Sequence, residues 1–341
     1  MKTYLSGMLI VLSLITGCGN KKQNDRDRFF LRGNVALSER EYDDAIKFYS
    51  ESIKIDPEYA IAYNNRGIAN YEDDDLVAAI SDYSKAIIID NNFTDAYFNR
   101  ANSLIELGRY DEAVDDLLMV METYPDSSYV HFALGLSYDG KEDYEEALRA
   151  FDKSLSLDKE NAETYLNLAV VYYHRKEYDK ANEYLAQAFA RDNNNSNYYN
   201  IKALILMEQQ NLTESIDVFN DGLYHHPEDA FLLNNRGYAY IMMDSIELAD
   251  KDIDDSILKN PDNLWAYRNK GIIAYKKGDY NKAERLMKRA MNNRKYVDDL
   301  YSYLGLTYLK QNKTEEACRY FEQAIEKGEK LVADEYLENC Q

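Results

Sequence analysis

Small and large side chains recur along the chain with a period of 34 residues, from residue 26 to residue 331, without insertion or deletion. Within each period, positions 8 and 20 are always small and position 24 is always large. Small residues at this spacing let two antiparallel helices approach closely around the large side chain. Each period therefore predicts a helix, a tight turn and a second helix. The periods begin at Arg26, Ala60, Thr94, Ser128, Ala162, Ser196, Ala230, Leu264 and Asp298.

Signals for helix ends fall in the same register. Acidic pairs such as Asp111-Glu112 occupy positions 18 and 19, the expected first turn of the second helix, where negative charge suits the helix dipole. More than half of the 32 tyrosines lie at positions 4, 11, 17 and 24, which indicates core packing rather than a ligand site. Proline at position 32 ends the second helix, because its ring cannot continue an α-helix. The four prolines at this position are Pro57, Pro125, Pro227 and Pro261.

The pattern resembles the tetratricopeptide repeat at almost every signature position, over about nine-tenths of the chain. The resemblance implies an all-α solenoid, a right-handed superhelix of helix-turn-helix repeats whose first helices line a concave groove. It assigns nine repeats to residues 26–331 and a C-terminal segment to 332–341. In that segment Val332, Tyr336 and Cys340 follow one another at i, i+4 and i+8, which predicts a capping helix over the last apolar face.

The N-terminal residues 1–17 have the features of a secretion signal peptide. Lys2 provides a basic start, and the apolar run from Met8 to Ile15 is too short to span a bilayer as a helix. Removal of this segment would delete one lysine and leave the mature chain one unit more acidic.

The signal segment ends in Leu14-Ile15-Thr16-Gly17-Cys18, which resembles the lipobox of bacterial lipoproteins. The resemblance implies cleavage before Cys18 and attachment of lipid, including palmitate, to that cysteine. The alternative is an ordinary signal peptide with an incidental cysteine. If the lipobox resemblance holds, residues 18–25 consist of the lipidated cysteine and a polar tether. Aspartate after the cysteine would resemble the signal that retains lipoproteins of enteric bacteria in the inner membrane. Gly19 occupies that position, so the resemblance implies that the protein is anchored in the outer membrane and faces the periplasm.

Charge and composition exclude several classes of function. The formal net charge of −21 excludes a general nucleic-acid binder, because phosphate contacts need clustered basic residues. Three cysteines and four histidines leave little for a metal site, and the adjacent His225 and His226 lack further ligands. No nucleotide-binding, zinc-protease or nucleophile-elbow motif is present. We therefore expect no catalytic residue, no cofactor and no metal, and thus no enzyme.

Asparagine recurs at position 6 of the first helix, which faces the groove on the repeat template. A side-chain amide offers a donor and an acceptor, so spaced asparagines can pair with the backbone of an extended peptide. The pattern resembles the asparagine ladder in the repeat domain of O-linked N-acetylglucosamine transferase, although four repeats interrupt it. An equally open alternative is that asparagine is tolerated at a helix surface. The candidate peptide-binding asparagines are Asn65, Asn99, Asn167, Asn235 and Asn269.

Aromatic residues occupy other groove positions, among them Trp265, the only tryptophan. Such rings beside amides can hold apolar peptide side chains or stack on sugars, while packing between repeats is the alternative for each ring. Basic residues such as Arg66 at position 7 are expected to neutralise the acidic second helices without a ligand. The aromatic groove positions are Phe30, Tyr71, Phe98, Tyr129, Phe132, Tyr173, Phe231, Tyr238, Trp265 and Tyr275.

Two further cysteines lie near the C-terminus, Cys318 in the last second helix and Cys340 in the predicted cap. If these helices pair antiparallel about a turn at Gly328-Glu329, the two cysteines lie at the same level. An oxidising periplasm would then allow a disulfide between them. A Cys318–Cys340 disulfide is therefore a candidate, and two free thiols are the alternative.

The predicted function is a membrane-anchored periplasmic scaffold or adaptor that binds protein or peptide segments in its groove. We expect contact with the membrane through the lipid anchor alone and no nucleic-acid partner. Lipoproteins with this repeat serve as adaptors for peptidoglycan hydrolases, in pilus assembly or in outer-membrane protein assembly, and these roles are analogies from the fold. The alternative function is a glycan- or peptidoglycan-binding lipoprotein that uses the asparagines and aromatic rings.

Overall fold

The computed structural model describes residues 21–291, 296–331 and 333–340. The predicted signal peptide (1–17) and Cys18 lie outside these described residues. The helices in chain order are α1 (Lys21–Ser38), α2 (Tyr42–Ile55), α3 (Ala60–Glu72), α4 (Leu76–Ile89), α5 (Thr94–Glu106), α6 (Tyr110–Thr123), α7 (Ser128–Gly140), α8 (Tyr144–Leu157), α9 (Ala162–His174), α10 (Tyr178–Arg191), α11 (Ser196–Glu208), α12 (Leu212–His225), α13 (Ala230–Met242), α14 (Ile246–Lys259), α15 (Leu264–Lys276), α16 (Tyr280–Met291), α17 (Leu300–Lys310), α18 (Thr314–Glu326) and α19 (Ala333–Asn339).

Across the described residues, the helices form nine consecutive pairs followed by the short α19. Seven of the first helices, α3 to α15, begin at the first residue of their predicted 34-residue period, and every second helix begins at position 17. Three residues connect the two helices of each pair. The all-α fold class predicted from the sequence is confirmed. None of the helices in the described ranges has the length and apolar character that a membrane span requires.

The packing between paired helices explains the small residues at position 8. A Cβ added to Gly33 would lie 2.6 Å from Cε1 of Tyr49, and one added to Gly67 would lie 2.6 Å from Cε1 of Tyr83. Both distances are far below van der Waals contact, so the ring at position 24 requires the absence of a side chain opposite it. All position-24 side chains are at most 1% exposed, as the predicted core requires.

Each turn within a pair contains a residue with positive φ, always at position 15 of the repeat. Glycine adopts this conformation without steric cost, but among the described turns it occupies only Gly108 and Gly278. The other turns place a residue with a Cβ there, such as Glu142 and Lys176, both with φ of 61°. The sequence does not reveal this feature, because the residue type at position 15 varies.

The chain divides into two compact units, Met1–Lys159 with α1–α8 and Glu160–Gln341 with α9–α19. Within each unit, every first helix packs on its own second helix and also contacts the first helix of the next repeat. Among the described residues, second helices make no such contact with one another. The first helices are therefore closer together, and we call their shared surface the inner face of the unit.

The N-terminal tether is shorter than the sequence prediction of residues 18–25. α1 begins at Lys21, so the last residues of the expected tether belong to the first helix. Helix is favoured there because this stretch is rich in lysine and glutamine and lacks proline, and Asp25 pairs with Arg28 at 3.3 Å. As a result, only two residues separate Cys18 from α1.

The last repeat departs from the template at its start. Its register predicts a helix from Asp298, but α17 begins at Leu300 after a turn. The buried carboxylate of Glu329 lies at this helix end, where Oε2 accepts hydrogen bonds from the backbone N–H of Ser302 at 2.8 Å and from its hydroxyl at 2.5 Å. Glu329 thereby satisfies donors that the start of a helix leaves open, and its negative charge suits the helix dipole.

The C-terminal segment forms α19 where the sequence predicts a cap over 332–341. This helix contacts α18, and a disulfide joins Cys318 of α18 to Cys340, with their Cα atoms 5.6 Å apart. Tyr336 and Cys340 pack against the core of the last repeats. The segment therefore covers the apolar end of the last helix pair.

Candidate functional site

Asparagine side chains connect the first helices on the inner face of the N-terminal unit. The Nδ2 of Asn65 on α3 donates to Oδ1 of Asn34 on α1 at 3.0 Å, and the hydroxyl of Tyr49 donates to the same oxygen at 2.8 Å. The Nδ2 of Asn99 on α5 donates to Oδ1 of Asn64 at 3.1 Å, and Asn64 in turn donates to Asn65 at 3.2 Å. These bonds form one continuous network across α1, α3 and α5.

The same network recurs on the inner face of the C-terminal unit. The Nδ2 of Asn269 on α15 donates to Oδ1 of Asn234 at 2.9 Å, and Asn234 donates to Oδ1 of Asn235 at 2.9 Å. The Nδ2 of Asn235 donates to Oδ1 of Asn200 on α11 at 2.7 Å. Sequence reasoning missed the position-5 partners Asn64, Asn200 and Asn234. The repeated string Asn-Asn-Arg-Gly, which begins at Asn64 and again at Asn234, was the signal for those two residues, and Asn200 lies outside any such string.

Asn167 belongs to neither network. Its Nδ2 donates to the backbone carbonyl of Glu163 in the same helix at 2.8 Å. The carboxylate of Glu163 accepts a hydrogen bond from Asn195 at 3.2 Å, and burial raises its pKa despite that bond. The predicted ladder of five asparagines is therefore two separate networks and one locally bonded residue.

Accessibility distinguishes the predicted asparagines. Asn65, Asn99 and Asn235 are partly exposed, so each can still meet a ligand. Asn269 is 0% exposed, so its amide is closed to a peptide. Because its Nδ2 is bonded to Asn234, Asn269 ties α15 to α13 rather than contacting a partner.

Exposed aromatic rings lie beside the networks at position 2 of the first helices. Phe231 on α13 is 52% exposed and stands one helical turn before Asn235. Tyr129 on α7 is 58% exposed at the equivalent position of its repeat. By contrast, Phe30 is buried against Tyr49, with ring centroids 5.8 Å apart, and serves packing.

Trp265 lies within a polar aromatic cluster rather than free on the surface. Its Nε1 donates to Oδ1 of Asp298 at 3.1 Å. The buried guanidinium of Arg268 lies 3.4 Å from the other carboxylate oxygen of Asp298 and 4.7 Å from the ring centroid of Tyr238. Burial raises the pKa of the nearby Tyr303 to about 12. Trp265 is therefore partly committed to internal contacts.

The basic residues at position 7 meet acidic residues on the second helix. Nε and Nη2 of Arg66 donate to the two carboxylate oxygens of Asp82 at 2.8 and 2.6 Å, and Nη1 donates to Ser50 of the preceding repeat at 2.9 Å. Two further repeats contain the same forked pair. The arrangement agrees with the expected neutralisation of the second helices. The forked pairs are Arg66–Asp82, Arg100–Asp116 and Arg236–Asp252.

Within the described ranges, no three His, Cys, Asp or Glu side chains converge as a metal site. Of the adjacent pair His225 and His226, the ring of His225 stacks against Tyr199, with centroids 6.0 Å apart.

Models of the tetratricopeptide repeat match four segments of the chain, at residues 33–74, 95–127, 140–205 and 298–330. Together these segments span about half of the sequence, and the segments 95–127 and 298–330 each coincide with one repeat of the structure. The chain is a tetratricopeptide-repeat protein. Such repeat scaffolds bind other proteins and are typically not enzymes, which makes this tetratricopeptide-repeat protein a scaffold for protein–protein interaction.

Solved structures share the fold of this tetratricopeptide-repeat protein at low sequence identity. The Cut9–Hcn1 hetero-tetramer of the APC/C matches with a TM-score of 0.62 and 15% identity, over 93% of this chain and 76% of that one. A tetratricopeptide-repeat protein from Parabacteroides merdae matches with a TM-score of 0.51 and 18% identity, over 83% and 99%. PilF of Pseudomonas aeruginosa matches with a TM-score of 0.51 and 21% identity, over 62% and 97%. No curated protein sequence matches the chain.

Proposed function

We propose that this scaffold is a lipoprotein of the outer membrane, faces the periplasm, and binds an extended segment of a partner protein on the inner face around α13. The observation that supports the binding site is the exposed ring of Phe231 one turn from Asn235. An exposed aromatic ring at a rigid amide can hold an apolar side chain while the amide meets the neighbouring peptide bond.

The hydrogen bonds of Asn235 leave it suited to this role. Its Nδ2 donates one hydrogen to Asn200, and its Oδ1 accepts one from Asn234. A side-chain amide has two N–H groups and two lone pairs, so one donor and one acceptor remain. Because both neighbours fix the amide plane, a partner backbone would meet a group that loses little entropy on binding. Asn65 has the same pattern in the N-terminal unit.

The membrane anchor rests on the lipobox resemblance at Cys18. Acyl chains stabilise membrane binding by about 0.8 kcal/mol per buried CH₂ group, so more than one chain makes the attachment effectively permanent. An anchored scaffold would gather its partners near the outer membrane. Regulation of peptidoglycan hydrolases, pilus assembly and outer-membrane assembly are the roles in envelope biogenesis that this arrangement would serve.

Photo-crosslinking in intact cells tests the binding site. A benzophenone amino acid replaces Phe231 in one variant and Tyr224 in the control variant, since Tyr224 is 83% exposed on the second helix α12. We expect a discrete protein adduct at position 231 and none at position 224. Phe231→Ala should weaken binding of the identified partner about tenfold or more, as for other aromatic anchors, and Tyr224→Ala should leave it unchanged. Equal adducts at both positions would refute the proposed site.

Glycan binding is the alternative function and has weaker support. Trp265, the ring expected to stack on a sugar, is partly buried, and its indole N–H is donated to Asp298. Titration with peptidoglycan fragments should therefore leave the fluorescence of Trp265 unchanged. Saturable quenching that Phe231→Ala abolishes would favour the glycan function instead.

A further inference from the structure

We propose that the exposed face of α1 docks on the anionic phospholipid surface of the membrane beside the anchor. This lipid-facing surface consists of Arg28, Leu31, Arg32 and Val35, since Arg28 lies three and four residues before Leu31 and Arg32, and Val35 lies four and three residues after them. The inference rests on the proposed lipidation of Cys18 and goes beyond it. It assigns a second membrane contact to the folded repeats themselves.

The apolar side chains of this surface are exposed, whereas position 10 is buried in the other repeats. Leu31 and Val35 are 57% and 56% exposed and occupy positions 6 and 10 of the first repeat. Within each unit, position 10 of the following repeats is buried because the preceding repeat packs over it, as Ala69 packs against the core of the first pair. None of the described helices precedes α1, so its position 10 stays open. The residues at position 10 of the later repeats are Ala69, Ser103, Ser137, Val171, Ile205, Ala239, Ile273 and Thr307.

The two ends of the described chain differ in whether their apolar surface is covered. At the C-terminal end, α19 covers the last helix pair and the Cys318–Cys340 disulfide holds it there. Terminal repeats of solenoids normally have a polar outer surface or a cover, because an open apolar end invites association. None of the described helices covers the exposed Leu31 and Val35 of α1, so these two apolar side chains imply an occupant.

Charge favours an anionic surface as that occupant. α1 contains five basic and two acidic residues, in a chain whose net charge is −21. Arg26 is committed to Asp56 at 2.7 Å. Arg28 pairs with Asp25 at 3.3 Å, but its side chain is 64% exposed, and Arg32 is also exposed. An exposed apolar stripe flanked by arginines matches the composition of helices that lie in the interface of anionic membranes.

Chain length places the surface at the membrane. Two residues separate Cys18 from Lys21, so their Cα atoms lie at most about 11 Å apart. Acyl chains on Cys18 would hold that residue at the lipid headgroups. At a rise of about 1.5 Å per residue, Val35 lies roughly 21 Å along α1 from Lys21, within reach of the same headgroup layer when the helix lies along it.

Depth-dependent quenching on the full-length, lipidated protein tests the inference. Val35→Cys is labelled with nitrobenzoxadiazole and reconstituted into phosphatidylethanolamine–phosphatidylglycerol vesicles that contain nitroxide-labelled lipid. The introduced thiol is the reactive one, because lipid occupies Cys18 and the other two cysteines are bonded. The matched control is Val77→Cys, another valine of the same unit that is 71% exposed on the second helix α4. Mass spectrometry of each protein establishes whether Cys18 is lipidated.

We expect nitroxide lipids to quench the label at position 35 at least threefold more than the label at position 77. Reversing the charges of Arg28 and Arg32 to glutamate should remove most of that difference while the protein stays vesicle-bound. Equal quenching at both positions in a lipidated, vesicle-bound protein would overturn the inference and leave the anchor intact. Quenching at position 35 that depends on protein dilution rather than on nitroxide lipid would indicate a second copy and overturn it also. Unmodified Cys18 would overturn the anchor and the inference together.

Discussion

The buried asparagine network of the C-terminal unit should contribute more to stability than its counterpart in the N-terminal unit. Asn234→Ala removes two hydrogen bonds of 2.9 Å, one from Asn269 and one to Asn235. Asn64→Ala removes the equivalent bonds of 3.1 and 3.2 Å, from Asn99 and to Asn65. The two substitutions delete the same atoms from the same repeat position. The difference between their losses in unfolding free energy therefore reports the effect of the surrounding residues.

The expected magnitudes follow from what each deletion leaves behind. Each lost bond costs about 1 kcal/mol net, and a buried amide left without a partner costs a further 1–3 kcal/mol, roughly. Asn269 is fully buried and its Oδ1 already lacks a hydrogen-bond partner, so Asn234→Ala strands the amide. Asn99 is partly exposed, so water can replace the lost partner in Asn64→Ala. We therefore expect a loss of about 3–5 kcal/mol in unfolding free energy for Asn234→Ala and about 2 kcal/mol for Asn64→Ala.

Hydrogen exchange measured by mass spectrometry resolves the two units separately. Opening free energies are read from peptides of α5 for Asn64→Ala and of α15 for Asn234→Ala, which avoids assuming that a repeat protein unfolds in one step. Fluorescence of Trp265, one turn before Asn269, provides an independent report on α15. Asn167→Ala serves as the control, because its amide bonds only within its own helix and its loss should cost about 1 kcal/mol or less. Equal losses for Asn234→Ala and Asn64→Ala would refute the reasoning.

Two further predictions concern single residues. Burial alone would raise the pKa of Glu284, but hydrogen bonds from Lys288, Tyr308 and Gln311 lower it to about 2. A carboxylate with a lowered pKa contributes stability that is present above its ordinary pKa of 4.5 and is lost as pH falls toward 2, so acid denaturation of Glu284→Gln should show a smaller loss across that range than the wild type. Glu142→Gly should stabilise the protein by about 0.5–1 kcal/mol in urea unfolding, because glycine accepts positive φ without strain, and the reverse change Gly108→Glu should destabilise it similarly.

The helix register could be predicted from the sequence because packing fixes it. Gly67 and the other small residues at position 8 are dictated by the ring they face, so their spacing reveals which helix packs on which. The left-handed turn at position 15 could not be predicted, since Glu142, Lys176 and Gly108 all adopt it. At position 15 the packing of the two helices imposes the positive φ, and the residue type only changes the free-energy cost of adopting it.

The sequence located the asparagines of the candidate site but did not reveal their hydrogen-bond partners. The amides at position 6 were visible in the sequence, but whether an amide meets a ligand or a neighbouring helix depends on its partner at position 5 or 9. Asn65 and Asn269 share a repeat position, but one is partly exposed and the other buried, because the side chains of neighbouring repeats differ around them. Periodicity locates such a residue on a helix and leaves its surroundings to the tertiary structure.

The contact that the arginine at position 7 makes depends on which residue occupies position 23 of the same repeat. Arg66 reaches a carboxylate at position 23 of its own repeat and is held between helices. In the first repeat the residue at position 23 is Phe48, and the guanidinium of the exposed Arg32 lies 4.0 Å from that ring centroid. Arg32 therefore keeps its charge available on the same helix face that exposes Leu31 and Val35. The first repeat, which is nearest the proposed lipidation site, thus leaves this charge available to an external anion, and a membrane-facing helix requires that arrangement.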